Sequence, residues 1–546
     1  MFGPNGPPFI ISCRFMIAVL VFFAYTIQYM HKVDLSVGIV CMVNNTWLSS
    51  TKPEYNSSYE SAQDENCLFD LEKISGEDDG PFEWSADVQG LVLASFFWGY
   101  LITEIPGGWL SMRFGSKVVI LVGVGISSVA TLLMPIGAKG HYAILIVLRI
   151  ITGLAQGVMW PAMASLWTQW TPPAERSKLI GFGNSGSQAG SVVALPLGGF
   201  LCVNGFDGGW GSIFYIFGIA GIVWCVAWFI FSSDSPATNR FINEKEKNFI
   251  LRETEEIVSS HNEHESLSDT PWKSIFSSKA CLSIFVTHFC NNWGTYTFLT
   301  NIPTYMKDVL KFDIKSNGLL SAVPYLCFGI VTIISSNLAD VVIRKTRINR
   351  TILRKITNCL ANLVPMGAVI GLAFVSCREP AVGVVMLSIG LAFTGFGYGA
   401  GFMVNSNDVA AGYAGIVFGI SNTFATIPGI ISPYLVGVIT KNKLQSEWRI
   451  VFFISAAMYF ISALSAILFC SGEVEKWAQK TPIQRKTEKS LKNLRSIGVH
   501  LDLEQHGISM DNVRSIHKSL VNLQKAGSQP RIKRTITVTL EDPNFE

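Results

Sequence analysis

Long runs of mostly apolar residues alternate with shorter polar segments along this chain of 546 residues. An α-helix needs about 20 such residues to cross a bilayer. The pattern therefore predicts twelve membrane-spanning helices and an all-α membrane protein. The predicted spans are 15–40, 86–110, 117–137, 142–168, 179–201, 210–232, 278–302, 314–339, 353–375, 381–403, 412–439 and 448–470.

The polar segments between the spans predict how the chain is oriented in the membrane. Segment 43–85 is acidic and contains two N-glycosylation sequons, at Asn44 and Asn56, so we expect it on the lumenal or external side. Basic residues such as Arg113 and Arg176 concentrate in the segments on the other side. Cytosolic loops are enriched in Lys and Arg, so the sequence predicts that both termini are cytosolic.

The spans form two groups of six with a polar linker between them. The segments GGWLSMRFGSK and SNLADVVIRKTR, which follow the second and eighth spans, weakly resemble each other. Parallel halves of this kind are typical of the major facilitator fold, in which substrate binds between the halves near the bilayer midplane. The predicted parts are a cytosolic N-terminus (1–14), an N-terminal six-helix half (15–232), a cytosolic linker (233–277), a C-terminal six-helix half (278–472) and a cytosolic tail (473–546).

The composition agrees with a membrane protein: 49% of the residues are hydrophobic, 15% are charged, and the mean hydropathy is +0.36. A net charge of +3 gives no indication of nucleic-acid binding. The sequence shows no catalytic triad, phosphate-binding loop or metal-ligand spacing. We therefore expect neither enzyme activity nor a bound metal, and no cofactor other than a coupling ion, H⁺ or Na⁺. We also expect a monomer in the lipid bilayer.

Most of the 11 cysteines lie in apolar runs, and we predict that they pack in the protein interior. Cys67 alone lies in a clearly polar segment. A disulfide bond at Cys67 would need a partner from another loop, and Cys202 is a candidate.

Arg149 lies about one third of the way into the fourth span. A charge at that depth is unfavourable unless it faces a cavity or a partner. One interpretation is an interfacial arginine or an internal ion pair. The interpretation that we favour is an anchor for an anion in the central cavity, because the guanidinium donates two parallel hydrogen bonds to a carboxylate or phosphate.

The first span contains His31, Lys32 and Asp34 within one turn. Residues two apart point to different faces of a helix, so we do not expect Lys32 and Asp34 to pair with each other. Lys32 would add a second positive charge near Arg149. His31 could titrate near neutral pH, although a histidine near the end of a span is more often interfacial.

Glu104 places a carboxyl group inside the second span. It is either a proton carrier or one half of an ion pair, and the sequence favours neither. Three aromatic residues, Trp98, Tyr100 and Tyr296, either line the substrate cavity or pack between helices. Thr426 in the eleventh span likewise either bonds to another helix or lines the pocket.

Long motifs in both halves resemble the anion transporter family of sialin, the vesicular glutamate transporters and the type I sodium–phosphate cotransporters. They are SFFWGYLITEIPGGWL, LRIITGLAQGVMWPAMASLWTQWTPPAERSKL, LSAVPYL and GYAGIVFGISNTFATIPGIISP, and the resemblance covers about residues 14–477. The runs NTFATIPG and NIPTYMKDVLKF are most similar to the sialin branch. Members of this family are twelve-span major facilitator proteins, and many move organic anions driven by protons or by membrane potential.

The resemblance also implies roles for single residues. Arg149 corresponds to the family's substrate arginine, Lys32 stands where relatives usually carry an arginine, and Tyr296 matches a pocket tyrosine. Other residues fall in the family's cytosolic gate motifs, in which charge pairs between loops would stabilise one conformation of the transporter. These residues are Arg113, Glu175, Arg176 and, after the eighth span, Asp340.

The sequence departs from the family pattern at four places. Gln156 stands where proton-driven members have a glutamate, whereas Glu104 stands where relatives have a glutamine. We therefore expect either that proton binding has moved to Glu104 or that the chain is not coupled to protons. Ser406 and Ala411 replace a histidine and a proline of the family. Asn291 replaces an arginine of the glutamate transporters, which argues against glutamate as the substrate.

The sequence thus predicts a secondary transporter of small organic anions that is proton-coupled and sialin-like. One alternative is a sodium-coupled phosphate or anion cotransporter, and another is a non-transporting receptor or scaffold with the same fold. We expect the protein to reside in a lysosomal, vesicular or plasma membrane.

Overall fold

The structure, a computed structural model, describes residues 12–44, 47, 80–172, 175–262, 270–346, 348–410 and 413–478. Asn56, Cys67 and the tail beyond residue 478 lie outside these ranges. Within the described residues the chain is almost entirely helical, and the one isolated β-bridge joins Val43 to Phe82.

Seven helices of the described residues form the first six spans. They are α1 (Cys13–Met42), α2 (Ala86–Phe114), α3 (Ser116–Gly140), α4 (Tyr142–Gly157), α5 (Met159–Trp170), α6 (Arg176–Asn204) and α7 (Trp210–Phe231). The fourth predicted span is therefore two helices, which meet at Val158.

The linker contains a 3₁₀ turn (Pro236–Thr238) and the helices α8 (Glu244–Asn262) and α9 (Trp272–Ser277). The last six spans again comprise seven helices in the part of the chain that the structure describes. They are α10 (Lys279–Asp308), α11 (Ile314–Lys345), α12 (Arg350–Leu372), α13 (Pro380–Ala400), α14 (Phe402–Ala410), α15 (Ala414–Ile439) and α16 (Gln445–Phe469).

Eleven helical stretches in the described residues are long and apolar enough to cross a membrane. Helix α10 is not among them, although its 30 residues are sufficient in length. It contains buried polar side chains such as His288, Asn291 and Asn292, which lower its hydropathy. Because α10 packs against α1, α15 and α16, it belongs to the same bundle and accounts for the twelfth predicted span.

Helices α1–α7 pack chiefly on one another, as do α10–α16. Between these two groups, α1 packs on α10, α2 on α15 and α6 on α11. Two of these contacts need glycines. A Cβ atom on Gly90 would lie 2.7 Å from the Pro433 carbonyl oxygen, and one on Gly199 would lie 3.0 Å from the Gly318 Cα. The absence of side chains lets the backbones of the two groups approach closely.

Polar contacts reinforce the junction at the same end of the bundle, where segment 43–85 connects α1 to α2. Lys441 pairs with Asp87 at 3.1 Å, and Lys307 donates to the Val40 carbonyl oxygen at 2.6 Å. The described residues thus show the two groups of helices closed against each other at this end.

The disulfide prediction is wrong in its partner. Cys202 is bonded to Cys41, with 6.2 Å between their Cα atoms, so it is not available to Cys67. The prediction that cysteines in apolar runs only pack in the interior fails for these two residues, because the ends of α1 and α6 lie side by side. Sequence spacing gave no sign of this, since 161 residues separate them.

Candidate functional site

Arg149 on α4 lies in the interior, with 2% of its surface exposed. Its Nη1 donates to the Asp34 carboxylate at 2.9 Å and to the His31 carbonyl oxygen at 3.0 Å. Its Nη2 donates to the Lys32 carbonyl oxygen at 3.4 Å. In this conformation the arginine therefore forms an internal ion pair, which was one of the two interpretations of the sequence.

Asp34 supplies the negative charge of this pair and is 1% exposed. Its Oδ1 accepts from Arg149 and from the Leu35 amide, whereas Oδ2 has no hydrogen-bond partner among the described residues. The Nε of Arg149 is also without a partner there. As expected from the helical spacing, Asp34 does not pair with Lys32. Sequence reasoning missed its pairing with Arg149.

Lys32 lies inside a cage of aromatic rings. Its Nζ is 4.9–5.4 Å from five ring centroids, and a cation over an aromatic face is stabilised by the ring quadrupole. The cage consists of Tyr29, Phe96, Phe97, Tyr100 and Tyr296. It draws residues from both helical groups, because Tyr296 comes from α10.

The structure thus brings together four of the five residues that the sequence singled out for substrate binding: Arg149, Lys32, Tyr100 and Tyr296. Phe96 connects the two cations, since the Arg149 Cζ is 5.4 Å from the ring that also contacts Lys32. The fifth residue, Trp98, is half-buried and is not part of the cage.

Sequence reasoning missed Tyr29, Phe96 and Phe97, because aromatic residues in spans usually serve packing. The sequence did contain a signal, because Tyr29 precedes Lys32 by one helical turn on α1, and Phe96 and Phe97 precede Tyr100 by one turn on α2.

Glu104 on α2 is 5% exposed and lies across the junction of the two groups. Its Oε2 accepts a hydrogen bond from the Thr426 hydroxyl on α15 at 3.0 Å, and its Oε1 has no partner among the described residues. Lys32 is near enough to interact with it electrostatically. Both interpretations of Glu104 therefore remain compatible with its position.

Gln156 lies two turns after Arg149 on α4 and is 1% exposed. Its backbone carbonyl accepts from the Gln28 side chain at 3.3 Å, but its own side-chain amide has no partner among the described residues. A buried polar group without a partner is unfavourable, so this amide is available for water or for a polar group of a ligand.

The residues predicted to form the gate do not pair with one another. Glu175 binds Arg14 at 2.6 Å, and Arg176 donates to the Thr171 hydroxyl at 3.3 Å. Arg113 and Asp340 are exposed. Arg14 also binds Glu246 of α8 at 3.0 Å, which attaches the linker helix to the start of α1. Because Arg14 belongs to the start of α1, where the first span was predicted to begin, the loop motifs gave no sign of this pairing.

The other helical group has a corresponding contact. Arg354 donates to the Asp408 carboxylate at 2.6 Å and to the Ala400 carbonyl oxygen at 2.6 Å. This pair joins α12 to α14 just beyond the break between α13 and α14. The sequence analysis did not identify it.

Comparison with known proteins places these features in context. Residues 17–433 match the family described as Major Facilitator Superfamily. The chain is 38% identical to sialin of Ovis aries over 478 residues, which cover 87% of this chain and 93% of that protein. It is 35% identical to a putative inorganic phosphate cotransporter of Drosophila melanogaster, over 85% of this chain and 86% of that protein. It is 34% identical to vesicular glutamate transporter 3 of Danio rerio, over 87% of this chain and 77% of that protein.

The fold is similar to that of solved transporters. The xylose transporter XylE of E. coli in its inward-open conformation superposes with a TM-score of 0.62, over 86% of this chain and 98% of that one. The sequence identity is 16%, so this similarity concerns the fold alone.

Proposed function

The chain belongs to the Major Facilitator Superfamily, and from that membership we propose that it is a secondary active transporter of small organic anions. Its relatives include sialin and vesicular glutamate transporters, with similarity over most of the chain. Transport would proceed by alternating access, with the two groups of helices closing around a central site.

The observation that carries this proposal is the buried Arg149 beside the caged Lys32. Two positive groups share the ring of Phe96 in the middle of the bundle, and a single carboxylate is paired with Arg149. An anionic group of the substrate would bind Arg149, and Lys32 would support it. The rings of Tyr100 and Tyr296 would shape the pocket around the rest of the substrate.

We further propose that protons drive transport. Two carboxyl groups, those of Asp34 and Glu104, lie in the site, and each has one oxygen without a hydrogen-bond partner among the described residues. The rival is sodium-coupled movement of phosphate, which is favoured by a relative named as a putative inorganic phosphate cotransporter and by Gln156, which cannot take up a proton.

The orientation and the membrane are proposals as well. The Cys41–Cys202 bond lies at the end of the bundle that carries segment 43–85. Disulfides persist in oxidising compartments, so this end would face the lumen or the exterior, and both termini would face the cytosol. The similarity to sialin and the vesicular transporters favours a lysosomal or vesicular membrane. A monomer suffices for this mechanism.

The test is uptake by purified protein in liposomes, with and without an imposed pH gradient. The labelled anions would be sialic acid, glucuronate, glutamate and phosphate. We expect one carboxylate to accumulate when the pH gradient is present. Arg149→Gln should abolish uptake, whereas Arg449→Gln should not, because Arg449 lies near the start of α16 and bonds to the Ala373 carbonyl oxygen just beyond the end of α12.

Other outcomes would redirect the proposal. Phosphate uptake that follows sodium and ignores the pH gradient would establish the rival function. If folded protein moves none of the four anions, the transport proposal is wrong and a receptor or scaffold becomes the better interpretation.

A further inference from the structure

The ion pair of Asp34 and Arg149 leaves hydrogen-bonding capacity unused on both sides. Only Oδ1 of Asp34 contacts the guanidinium, and it does so through Nη1 alone. The Asp34 Oδ2 and the Arg149 Nε have no partner among the described residues. A structural buried pair is expected to satisfy its remaining donors and acceptors, because desolvation of each charge is unfavourable. This pair does not, which indicates that it is one of two arrangements.

The charged group that contacts Asp34 is the Arg149 guanidinium. The other ionisable groups near Asp34, on α1 and on the helices around it, have contacts of their own. His31 is bound to the Phe217 carbonyl oxygen at 3.0 Å and to the Ser127 hydroxyl at 3.4 Å. Lys32 is in its cage, and Glu104 contacts Thr426. The other titratable groups that the described residues place around this part of α1 are tyrosine phenols: Tyr25 and Tyr29 on α1, Tyr100 on α2, Tyr296 on α10, Tyr325 on α11 and Tyr398 on α13.

We propose that Asp34 is the proton-coupling carboxylate and that it alternates with the transported anion as the partner of Arg149. This inference rests on the proposed anion transport. In the empty site, ionised Asp34 neutralises the arginine. When an anion arrives, Asp34 takes up one proton and releases Nη1, and the carboxylate of the anion accepts hydrogen bonds from the guanidinium instead.

The exchange keeps the charge of the site balanced. Before binding, the site holds one carboxylate and one guanidinium. After binding, it holds a neutral carboxylic acid, the guanidinium and the anion. One proton and one negative charge enter together, so the exchange adds no unpaired charge to the interior, which would be strongly unfavourable. On the other side of the membrane the anion leaves, Asp34 gives up its proton and the ion pair re-forms.

The geometry also provides a path for this exchange. Because Nε is without a partner, an incoming carboxylate can contact Nε and Nη2 while Asp34 still occupies Nη1. A guanidinium binds a carboxylate most strongly through two parallel hydrogen bonds. Glu104 cannot perform the same exchange, since its contact is with Thr426 across the junction and not with Arg149.

The test compares two assays on Asp34→Asn in liposomes, with the anion of the panel that the wild type moves. The first assay is accumulation driven by a pH gradient, and the second is exchange of labelled for unlabelled anion at equal pH. We expect Asp34→Asn to retain exchange and to lose accumulation above equilibrium. The matched control is Asp207→Asn, whose carboxylate pairs with Lys139 at the surface and should retain both activities.

The outcomes separate this inference from the proposed function. If the wild type moves no anion, both fail. If the wild type accumulates an anion and Asp34→Asn does so equally well, transport stands and the role of Asp34 is refuted. If Glu104→Gln is the variant that retains exchange but loses accumulation, coupling belongs to Glu104 and our assignment is wrong.

A second measurement applies where Asp34→Asn does not fold. Addition of the same anion to weakly buffered wild-type protein in detergent should cause uptake of one proton per bound anion. Glu104→Gln should show the same ratio. A ratio of zero in Glu104→Gln would overturn the assignment to Asp34. The apparent affinity of the wild type should also fall about tenfold for each pH unit above the range in which Asp34 takes up its proton.

Discussion

Lys32 is the residue whose surroundings differ most from those of an ordinary membrane lysine. It does not reach the membrane surface, and its ammonium group lies among five rings instead. The rings stabilise the charge without neutralising it, because an aromatic ring attracts a cation through its quadrupole and carries no net charge. The positive charge therefore remains available to an anion held at Arg149.

Replacement of Lys32 by methionine tests this interpretation. Methionine keeps the unbranched stem, and its sulfur packs well against aromatic rings, so we expect the protein to fold. The loss of one charged contact, about 1.5–3 kcal/mol, should raise the KM for anion exchange roughly 10- to 150-fold. Lys139→Met is the matched control, because half of the Lys139 side chain is exposed and its contacts, with Asp207 and the Trp210 ring, lie outside the site. An unchanged KM in Lys32→Met would show that Lys32 does not support the substrate.

The sequence could indicate which charged residues matter but not how they pair. Arg149, Lys32 and Glu104 stood out because a charge inside an apolar run is unfavourable without a partner. Which carboxylate meets which cation depends on the rotation and depth of each helix. Asp34 lies two residues from Lys32, and only the relative position of α1 and α4 in the bundle directs it to Arg149.

Among the helices, the contacts between α2 and α15 and between α6 and α11 control closure at the end that carries segment 43–85. Both depend on glycines that lie against backbone atoms of the other group. A methyl group at such a position forces the helices apart. The closed conformation should therefore be sensitive to changes that would be harmless elsewhere in the same helices.

Gly90→Ala should disfavour this closed conformation. The new Cβ would lie 2.7 Å from the Pro433 carbonyl oxygen, and overpacking of this kind costs about 1–3 kcal/mol. The equilibrium should shift roughly 5- to 150-fold towards the conformation open at this end. Labelling by an impermeant maleimide of a cysteine introduced at Ala86, which is 9% exposed and lies against Gly437 of α15, would measure the shift as a faster rate.

Gly181→Ala provides the control for helix propensity. Alanine favours a helix over glycine at both positions, but a Cβ on Gly181 has nothing within 4 Å. We expect its labelling rate to match that of the parent protein. Equal rates in all three proteins would mean that Gly90 does not limit closure.

Element positions followed the hydrophobic pattern closely, and the exceptions have physical reasons. The predicted span 314–339 continues to Lys345 in α11, because helical hydrogen bonding does not stop where the apolar run ends. The break at Val158 was not predicted, since the residues on both sides are similarly apolar. Helix α14 was not predicted, because most of it lies beyond the predicted span 381–403 and is rich in polar residues. The conformation closed at one end was also beyond the sequence, because it depends on a balance between two packings of the same helices.

At the scale of the whole molecule, the orientation that we propose rests on the distribution of sequons, cysteines and basic residues across the two ends of the bundle. The end with the Cys41–Cys202 bond also carries Asn44. The opposite end carries a third sequon, Asn349-Arg350-Thr351, in a basic segment. There the Asn349 side chain caps α12 by accepting from the Thr351 amide at 2.7 Å. An oligosaccharyltransferase acts only on the lumenal side, so these sequons report the orientation independently of charge.

In cells that glycosylate proteins, we expect the combined change Asn44→Gln and Asn56→Gln to remove the glycan completely. The mobility on a gel should then equal that of glycosidase-treated wild type. Asn349→Gln should leave the mobility of the glycosylated protein unchanged, because its sequon faces the cytosol in the proposed orientation. If Asn349→Gln alone removed the glycan, the chain would be inverted in the membrane. The basic segments would then face the lumen, against the positive-inside rule, and the closed end of the bundle would face the cytosol.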